Sequence, residues 1–252
     1  MGFDVAADAY DRFMGRYSGL LSPQMADLAG VQPSQRAVDV GCGPGNLTAE
    51  LVRRLGAEAV AAVDPSSSFV EAARARHPGV DVRLAPAERL PFGDGTFDAA
   101  LAQLVVHFMA DPVAGLGEMR RVARRDGVVA ACVWDHAGDQ GPLAVFWSAA
   151  RALDPSVVGE AMLAGTREGH LAELFAAAGL RDVQSSVLTA DLEHATFEGW
   201  WAPFEGGVGP AGAYVAGLSP EGRRALRDRC RAELGDAPFT IVARAWAARG
   251  VA

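Results

Sequence analysis

The sequence predicts an α/β fold built on a doubly wound, seven-stranded and mostly parallel sheet. Short β-branched runs alternate with helical patterns through residues 37–134. A glycine-rich turn joins the first run to the first helical pattern. The last run of this region, residues 128–134, is continuously apolar, as expected of a central parallel strand. Strands and helices that alternate in this way form doubly wound sheets.

The glycine turn lies between a strand expected at residues 37–40 and a helix expected from Leu47 to Leu55. Dinucleotide-binding turns read G-x-G-x-x-G, whereas this turn reads G-x-G-x-G and has Asn46 in place of the third dinucleotide glycine. A carboxylate such as Asp39, ~4 Å from a phosphate charge, would cost about 4 kcal/mol at an effective dielectric of ~20. The turn therefore favours a nucleoside that carries positive charge over one that carries phosphates.

Two helices are expected before the first strand. Apolar and aromatic side chains at positions 10, 13, 14 and 17 form one helical stripe. The stripe fits either a surface helix that packs its aromatic face or a lid over a ligand. Ser22 and Pro23 are expected to start a second helix that runs through about Ala29.

Three further strands are expected, at residues 58–63, 80–84 and 97–102. Ser68 and Glu71 predict a capping box for the helix after the first of these strands. His77 is expected to be an exposed residue at the end of that helix.

Asp111 followed by proline marks a helix start. That helix is expected to run to about Arg125 and to be closed by Asp126 and Gly127. Beyond the apolar strand, the expected elements are helices at 143–153, 167–178 and 219–234, strands at 181–192 and 238–248, and a glycine-rich bend at 206–212.

Composition excludes several classes of function. A net charge of −8 gives no electrostatic footprint for nucleic acid. All 23 basic residues are arginine, which excludes Schiff-base lysine chemistry and a P-loop lysine. Three widely spaced cysteines argue against a disulfide framework or a zinc site, and no metal is expected. No apolar run reaches the ~18 residues of a membrane span and no signal peptide is evident, so a cytoplasmic monomer or homodimer without nucleic-acid or membrane partners is expected.

Residues 38–45, VDVGCGPG, resemble motif I of the class I S-adenosylmethionine-dependent methyltransferases, in the UbiE-like small-molecule branch (methyltransferase type 11). The match is close over residues ~37 to ~134 and weaker on either side. The implied cofactor, S-adenosylmethionine, with S-adenosylhomocysteine as product, has a sulfonium and an ammonium group and no phosphate. This agrees with the charge argument made for the turn.

The resemblance also implies a Rossmann-like fold in which the last strand is antiparallel. A single domain is expected over residues 1–252. Within it, a helical cap or lid would occupy residues 1–30, the cofactor-binding core residues 37–134, and the acceptor side residues 135–252, with an insertion before the last strand.

Cofactor contacts are expected around the carboxyl ends of the strands. Asp64 ends the second strand, where a carboxylate can accept hydrogen bonds from both ribose hydroxyls. The methionine part is expected to sit on Asp39, Gly41 and Gly43. The resemblance implies that Arg16 pairs with the methionine carboxylate. The other residues expected to bind the cofactor are Cys42, Pro65, Ala87, Glu88, Gln103 and Leu104.

The adenine is implied to meet Ala87 and Glu88, in a segment where Pro86 departs from the commoner Asp of the family. Because proline has no hydrogen-bonding side chain, no side-chain hydrogen bond to the adenine is expected at position 86. His107, just past the fourth strand, is the best candidate for a general base. The alternative is a hydrogen-bonded wall residue, because many methyl transfers need no base.

Aromatic side chains in the C-terminal half fit two interpretations. They are either an acceptor pocket or ordinary core residues. The residues concerned are Trp134, Phe146, Trp147, Trp200, Trp201 and Phe204.

The function expected is transfer of a methyl group from S-adenosylmethionine to an O, N or C nucleophile of a small, apolar or aromatic molecule. One alternative is a relative that binds the cofactor without transferring methyl. A second is a nicotinamide-dependent oxidoreductase, which the spacing of the glycines and Asp39 disfavour.

Overall fold

A computed structural model describes residues 7–236 and 238–252 of the chain. Its seven strands form one sheet in the order β3-β2-β1-β4-β5-β7-β6. The strands are β1 (Ala37–Val40), β2 (Val60–Asp64), β3 (Asp81–Leu84), β4 (Phe97–Gln103), β5 (Ala123–Trp134), β6 (Arg181–His194) and β7 (Phe239–Val251).

The strands β1 to β5 are parallel, and β7 is antiparallel to both of its neighbours, β5 and β6. The predicted fold class is therefore confirmed, including the antiparallel last strand. The order reverses between β1 and β4, and an open α/β sheet binds its ligands at the carboxyl ends of the strands around such a reversal.

The α-helices described are α1 (Ala7–Tyr10), α2 (Arg16–Leu28), α3 (Asn46–Leu55), α4 (Ser67–Arg76), α5 (Pro112–Val122), α6 (Ala144–Leu153), α7 (His170–Ala177), α8 (Phe197–Glu205), α9 (Gly209–Gly217) and α10 (Pro220–Leu234). A π-helical segment, Asp11–Gly15, joins α1 to α2. None of the described helices is long and apolar enough to cross a bilayer.

Helices cover both faces of the sheet. One hydrophobic cluster joins β1 and β4 to α2, α3, α6 and α8, and a second joins the opposite face to α5 and α7. Fully buried Leu21 and Met25 carry the packing of α2 in the first cluster. The three helices α8, α9 and α10 lie between β6 and β7 in the chain, which confirms the insertion before the last strand.

The prediction that a helix starts at Ser22 and Pro23 is wrong, because both residues lie inside α2. The Ser22 hydroxyl donates to the Ser18 carbonyl within the helix, at 3.0 Å. The buried stripe of α2 continues on both sides of the proline, so packing holds the helix together despite the missing amide hydrogen.

The expected end of the helix after Asp111 is also wrong. The helix ends at Val122, and residues 123–127 belong to β5. Ala123 pairs with Phe97 of β4, and Arg124 forms an ion pair of 2.8 Å with Asp98. Pairing with the neighbouring strand therefore outweighs the helical pattern of this segment.

Two further local predictions are corrected. Ser66, rather than the Ser68 and Glu71 pair, is the N-cap residue of α4, and its hydroxyl accepts from the Phe69 amide. The expected glycine-rich bend at 206–212 is partly helical, since α9 begins at Gly209.

Candidate active site

A cavity of about 860 Å³ opens at the carboxyl ends of the parallel strands. This volume falls in the range of small-molecule sites. The strand ends contribute Gly41 and Gly43 (β1), Asp64 and Pro65 (β2), Pro86, Ala87 and Glu88 (β3), Gln103 and Leu104 (β4), and Trp134 and His136 (β5).

The glycine turn that follows β1 uses its backbone amides internally. The amides of Gly41 and Cys42 both donate to the Val63 carbonyl, at 2.8 and 2.9 Å, and the Gly43 amide donates to Asp64 at 2.8 Å. Gly41 has φ +72°, and a Cβ there would lie 2.3 Å from Cγ2 of Val105. Because these amides already have acceptors, the turn offers them to no phosphate, in keeping with the absence of a dinucleotide fingerprint.

Asp64 ties the glycine turn to the segment after β2. Its Oδ2 accepts from the Gly43 amide and its Oδ1 from the Ser66 amide, both at 2.8 Å. Burial raises the pKa of this carboxyl, and the two amide hydrogen bonds oppose that shift. The carboxylate is thus held rigidly while it lines the cavity.

Asp39, which is expected to help seat the methionine part of the cofactor, does not line the cavity. It is 1% exposed, and its Oδ2 accepts from the Thr48 hydroxyl at 2.7 Å. The Thr48 backbone also bonds to this carboxyl, so Asp39 links β1 to the first turn of α3. The Asp39 carboxyl group therefore contacts Thr48 inside the protein, whereas the Asp64 carboxyl group faces the cavity.

Burial raises the pKa of Asp39 to about 7, which predicts a pH-dependent cost of stability. Between the unfolded pKa near 3.9 and the folded pKa, the native state binds more protons, so this group lowers stability as pH rises. Asp39→Asn cannot ionise. Its stability relative to the unsubstituted protein is expected to increase by about 2–3 kcal/mol from pH 5 to pH 8, at ~1.36 kcal/mol per pKa unit.

Urea unfolding of both proteins at the two pH values measures this difference. Asp81→Asn is the matched control, because Asp81 is exposed and its ion pair with Arg83 lowers its pKa. Parallel pH dependence of Asp39→Asn and the unsubstituted protein would show that Asp39 stays ionised in the native state.

Arg16 and Cys42, both expected to bind the cofactor, do not line the cavity. Arg16 is exposed, and its guanidinium donates to the Glu193 carbonyl at 3.1 Å. The Cys42 side chain is buried, with Sγ 3.4 Å from the Gly43 carbonyl oxygen. The side chains of Arg16 and Cys42 therefore lie apart from the other expected cofactor-binding residues, which line the cavity.

The other expected cofactor residues line the cavity. Glu88 Oε1 accepts from the Asp111 amide at 3.2 Å, which links the segment after β3 to the start of α5. Leu104 has φ +62°, a conformation that non-glycine residues rarely adopt and that is found at functional sites. The Gln103 side-chain amide donates to Ser18 and Ser22 of α2, while its Oε1 is buried without a partner among the described residues.

His77 is a part of the site region that the sequence analysis misjudged. It was expected to be exposed, but it is half-buried and its Nε2 lies 3.0 Å from the Gly45 carbonyl oxygen. Burial lowers the pKa of this imidazole. His77 therefore packs against the glycine turn and contacts its backbone at Gly45.

His107 is 6% exposed and lines the cavity together with two side chains that the sequence analysis did not identify, His136 and Glu160. Burial lowers the pKa of His107 well below its usual range and that of His136 to about 4. It raises the pKa of Glu160 to about 7. His136 follows the carboxyl end of β5, and this position could have identified it as a site residue. The sequence around Glu160 contains no comparable signal.

The aromatic residues proposed for an acceptor pocket prove to be core residues, with the exception of Trp134. Trp134 lines the cavity. The others pack against one another; Phe146 and Phe204 are stacked with ring centroids 4.6 Å apart. The five that do not line the cavity are Phe146, Trp147, Trp200, Trp201 and Phe204.

The apolar wall of the cavity comes instead from the N-terminal helical segment, from the residue that precedes α6 and from the region where α9 begins. Tyr10 packs edge-on against Phe69 of α4, with ring centroids 5.5 Å apart, beside the ligand space. The other apolar side chains of this wall include Phe13, Met14, Leu143, Val208, Pro210 and Ala211.

Among the described residues that line the cavity, the acidic and basic side chains other than histidine are all acidic. Asp64, Glu88 and Glu160 contribute carboxyl groups, and no arginine lines the space. The unpartnered Gln103 Oε1 adds a further acceptor. This lining favours a ligand that carries positive charge and hydrogen-bond donors and disfavours a pyrophosphate.

Residues 38–131 match the family model described as "Methyltransferase domain". The ubiquinone/menaquinone biosynthesis C-methyltransferase UbiE of Citrifermentans bemidjiense is 33% identical over 107 residues, which are 40% of this chain and 46% of that protein. The chain spans about half or less of the length of the curated relatives it matches.

Solved structures share the fold over most of the chain. An S-adenosylmethionine-dependent methyltransferase of Thermotoga maritima aligns with a TM-score of 0.58 and 21% identity, over 97% of this chain and 95% of that one. A geranyl diphosphate methyltransferase in complex with S-adenosylmethionine aligns with a TM-score of 0.53 and 18% identity, over 93% and 85% of the two chains.

Proposed function

We propose that this chain, whose residues 38–131 match the methyltransferase domain model, is an S-adenosylmethionine-dependent methyltransferase that acts on a small molecule. The observation that carries the proposal is the cavity at the glycine turn, which is lined by carboxylates and by no arginine among the described residues. S-adenosylmethionine supplies a methyl group activated by a sulfonium. Its positive charges and its lack of phosphate fit this lining.

The expected contacts are distributed along the strand ends. Asp64 is held by two backbone amides, and its carboxylate is available on the cavity side for the ribose hydroxyls. Glu88 and Ala87 line the part of the cavity assigned to the adenine. The Gln103 Oε1, which lacks a partner among the described residues, suits the ammonium of the methionine part. Each of these groups binds or orients the cofactor and need not take part in a covalent step.

The acceptor is proposed to be a small apolar or aromatic molecule with an O, N or C nucleophile. The apolar side chains beside the cofactor part of the cavity support this, Phe13, Met14 and Leu143 among them. A closed apolar site would exclude water and align the nucleophile with the methyl group, which supplies much of the acceleration in a bimolecular transfer.

His107 remains a candidate for accepting a proton from the acceptor. Its position on the cavity wall fits that role. The lowered pKa makes the imidazole neutral and ready to accept, but also a weak base near neutral pH. A base role therefore requires that the acceptor be acidic or that a further group assist.

Turnover tests the proposal. The purified full chain is incubated with S-adenosylmethionine and with phenols, hydroquinones, aliphatic alcohols and amines, and separately with DNA, RNA and a basic protein. S-adenosylhomocysteine is expected to form in equal amount with a methylated product for at least one apolar small molecule. Asp64→Ala serves as the cofactor-site control. Methylation of nucleic acid or protein alone would contradict the small-molecule assignment.

A further inference from the structure

The cavity wall on the acceptor side brings together three potential metal ligands from separate parts of the chain. His107 lies in a single 3₁₀ turn after β4, His136 follows β5, and Glu160 lies in the loop between α6 and α7. One ligand atom from each side chain lies within 4.8 Å of the other two. The three residues are 6%, 6% and 4% exposed, and all line the cavity.

The polar atoms of this cluster are incompletely paired with one another. Nδ1 of His107 is buried and has no partner among the described residues. Oε1 of Glu160 lies 3.9 Å from Nε2 of His136, too far for a hydrogen bond. Buried polar groups are nearly always satisfied by a partner. His107 thus has a buried imidazole nitrogen without a partner, beside a carboxylate and a second imidazole that do not bond to each other. This arrangement indicates an occupant of the space between the three side chains.

We propose that His107, His136 and Glu160 bind a divalent transition metal ion. Two imidazoles and one carboxylate form a donor set that suits Zn²⁺, Fe²⁺ or Co²⁺, whereas Mg²⁺ and Ca²⁺ prefer oxygen ligands. Ligand atoms ~2.1 Å from a tetrahedral metal lie roughly 3.4 Å apart. The observed 3.9 Å between Glu160 Oε1 and His136 Nε2, and the limit of 4.8 Å on the other separations, are longer than this, so metal binding requires the three side chains to move closer together.

A second interaction orients the carboxylate. Nε1 of the buried Trp147 donates to Oε2 of Glu160 at 2.9 Å, which leaves Oε1 directed toward His136. Ligating carboxylates are commonly held in this way by a hydrogen bond from outside the coordination sphere. The cysteine spacing gives no sign of this cluster, and its three residues are distant from one another in sequence.

The site has three protein ligands and faces the cavity, so at least one coordination position is open to a bound molecule. An acceptor with a hydroxyl or carbonyl oxygen would fit that position. This consequence for the acceptor rests on the proposed function, whereas binding of the metal does not.

Metal titration tests the proposal. The full chain is treated with EDTA, dialysed and titrated at pH 8 with Zn²⁺ by calorimetry and with Co²⁺ by visible absorption. One equivalent of Zn²⁺ is expected to bind with a micromolar or lower Kd. Glu160→Gln and His136→Gln are each expected to weaken binding at least tenfold. The Co²⁺ spectrum of the unsubstituted protein is expected to show the d–d bands of a protein-bound ion, and this readout needs no variant.

His194→Gln is the matched control, because His194 is also buried and bonds to the Tyr17 hydroxyl outside the cluster. Its Zn²⁺ affinity is expected to be unchanged. Failure of the unsubstituted protein to bind either metal would overturn the proposal, as would equal affinity in all variants. Titration of the same metal-free protein with S-adenosylmethionine separates the two proposals, since cofactor binding without metal binding overturns this one alone.

Discussion

Gly41→Ala is expected to destabilise the protein by about 3 kcal/mol or more. An alanine Cβ would lie 2.3 Å from Cγ2 and 2.8 Å from Cβ of Val105, which is far inside van der Waals contact. Relief of such overpacking costs ~1–3 kcal/mol. The φ of +72° adds the left-handed penalty of a non-glycine residue, ~1–2 kcal/mol. Chemical denaturation monitored by circular dichroism measures the loss.

Gly43→Ala provides the matched control within the same turn. Gly43 also has a positive φ, +53°, but a Cβ there meets no described atom within 4 Å. Only the backbone penalty of ~1–2 kcal/mol is expected. Equal destabilisation by the two substitutions would contradict the close packing of Gly41 on Val105.

Asp64→Ala is expected to weaken binding of S-adenosylmethionine by at least about 100-fold. Hydrogen bonds to a charged group contribute ~1.5–3 kcal/mol each, and the carboxylate is proposed to accept two from the ribose. The substitution also frees the Gly43 amide, which the carboxylate now holds at 2.8 Å. Calorimetric titration of the variant and the unsubstituted protein measures the change in Kd.

Asp81→Ala is the control for this experiment, since Asp81 is an exposed acid on the neighbouring strand β3 and does not line the cavity. Its affinity for S-adenosylmethionine is expected to be unchanged. An Asp64→Ala protein that is folded and binds with unaltered affinity would remove Asp64 from the cofactor site.

Much of the fold could be predicted because it depends on local patterns. The run of apolar residues in β1, the glycines after it and the proline after Asp111 each act within a few residues. The order of strands and helices can therefore be predicted from the spacing of these signals in the sequence. Asp64 could be found in the same way, because it ends a strand whose neighbours were recognisable.

The failures have a common physical origin in contacts between distant residues. Packing of α2 keeps Ser22 and Pro23 within a continuous helix, although the local pattern favours a start there. Pairing of Ala123 with Phe97 turns a helical end into a strand. Glu160 reaches the cavity only because the loop after α6 folds back to Trp147. None of these contacts can be predicted from the residues adjacent in sequence.

The division of the chain into an N-terminal cap, a core and an acceptor side remains a prediction. The same holds for a lid function of the N-terminal helices, although Tyr10, Phe13 and Met14 do line the cavity. A monomeric or homodimeric state also remains a prediction.

Calorimetric titration of the purified protein with S-adenosylmethionine, S-adenosylhomocysteine and NADH tests the central claim most directly. A cavity with three carboxyl groups, and with no arginine among the described residues that line it, should bind the first two compounds with micromolar affinity and one equivalent each. NADH, which carries a pyrophosphate, should not bind. Binding of NADH alone, or of none of the three compounds, would contradict the assignment of this cavity to S-adenosylmethionine.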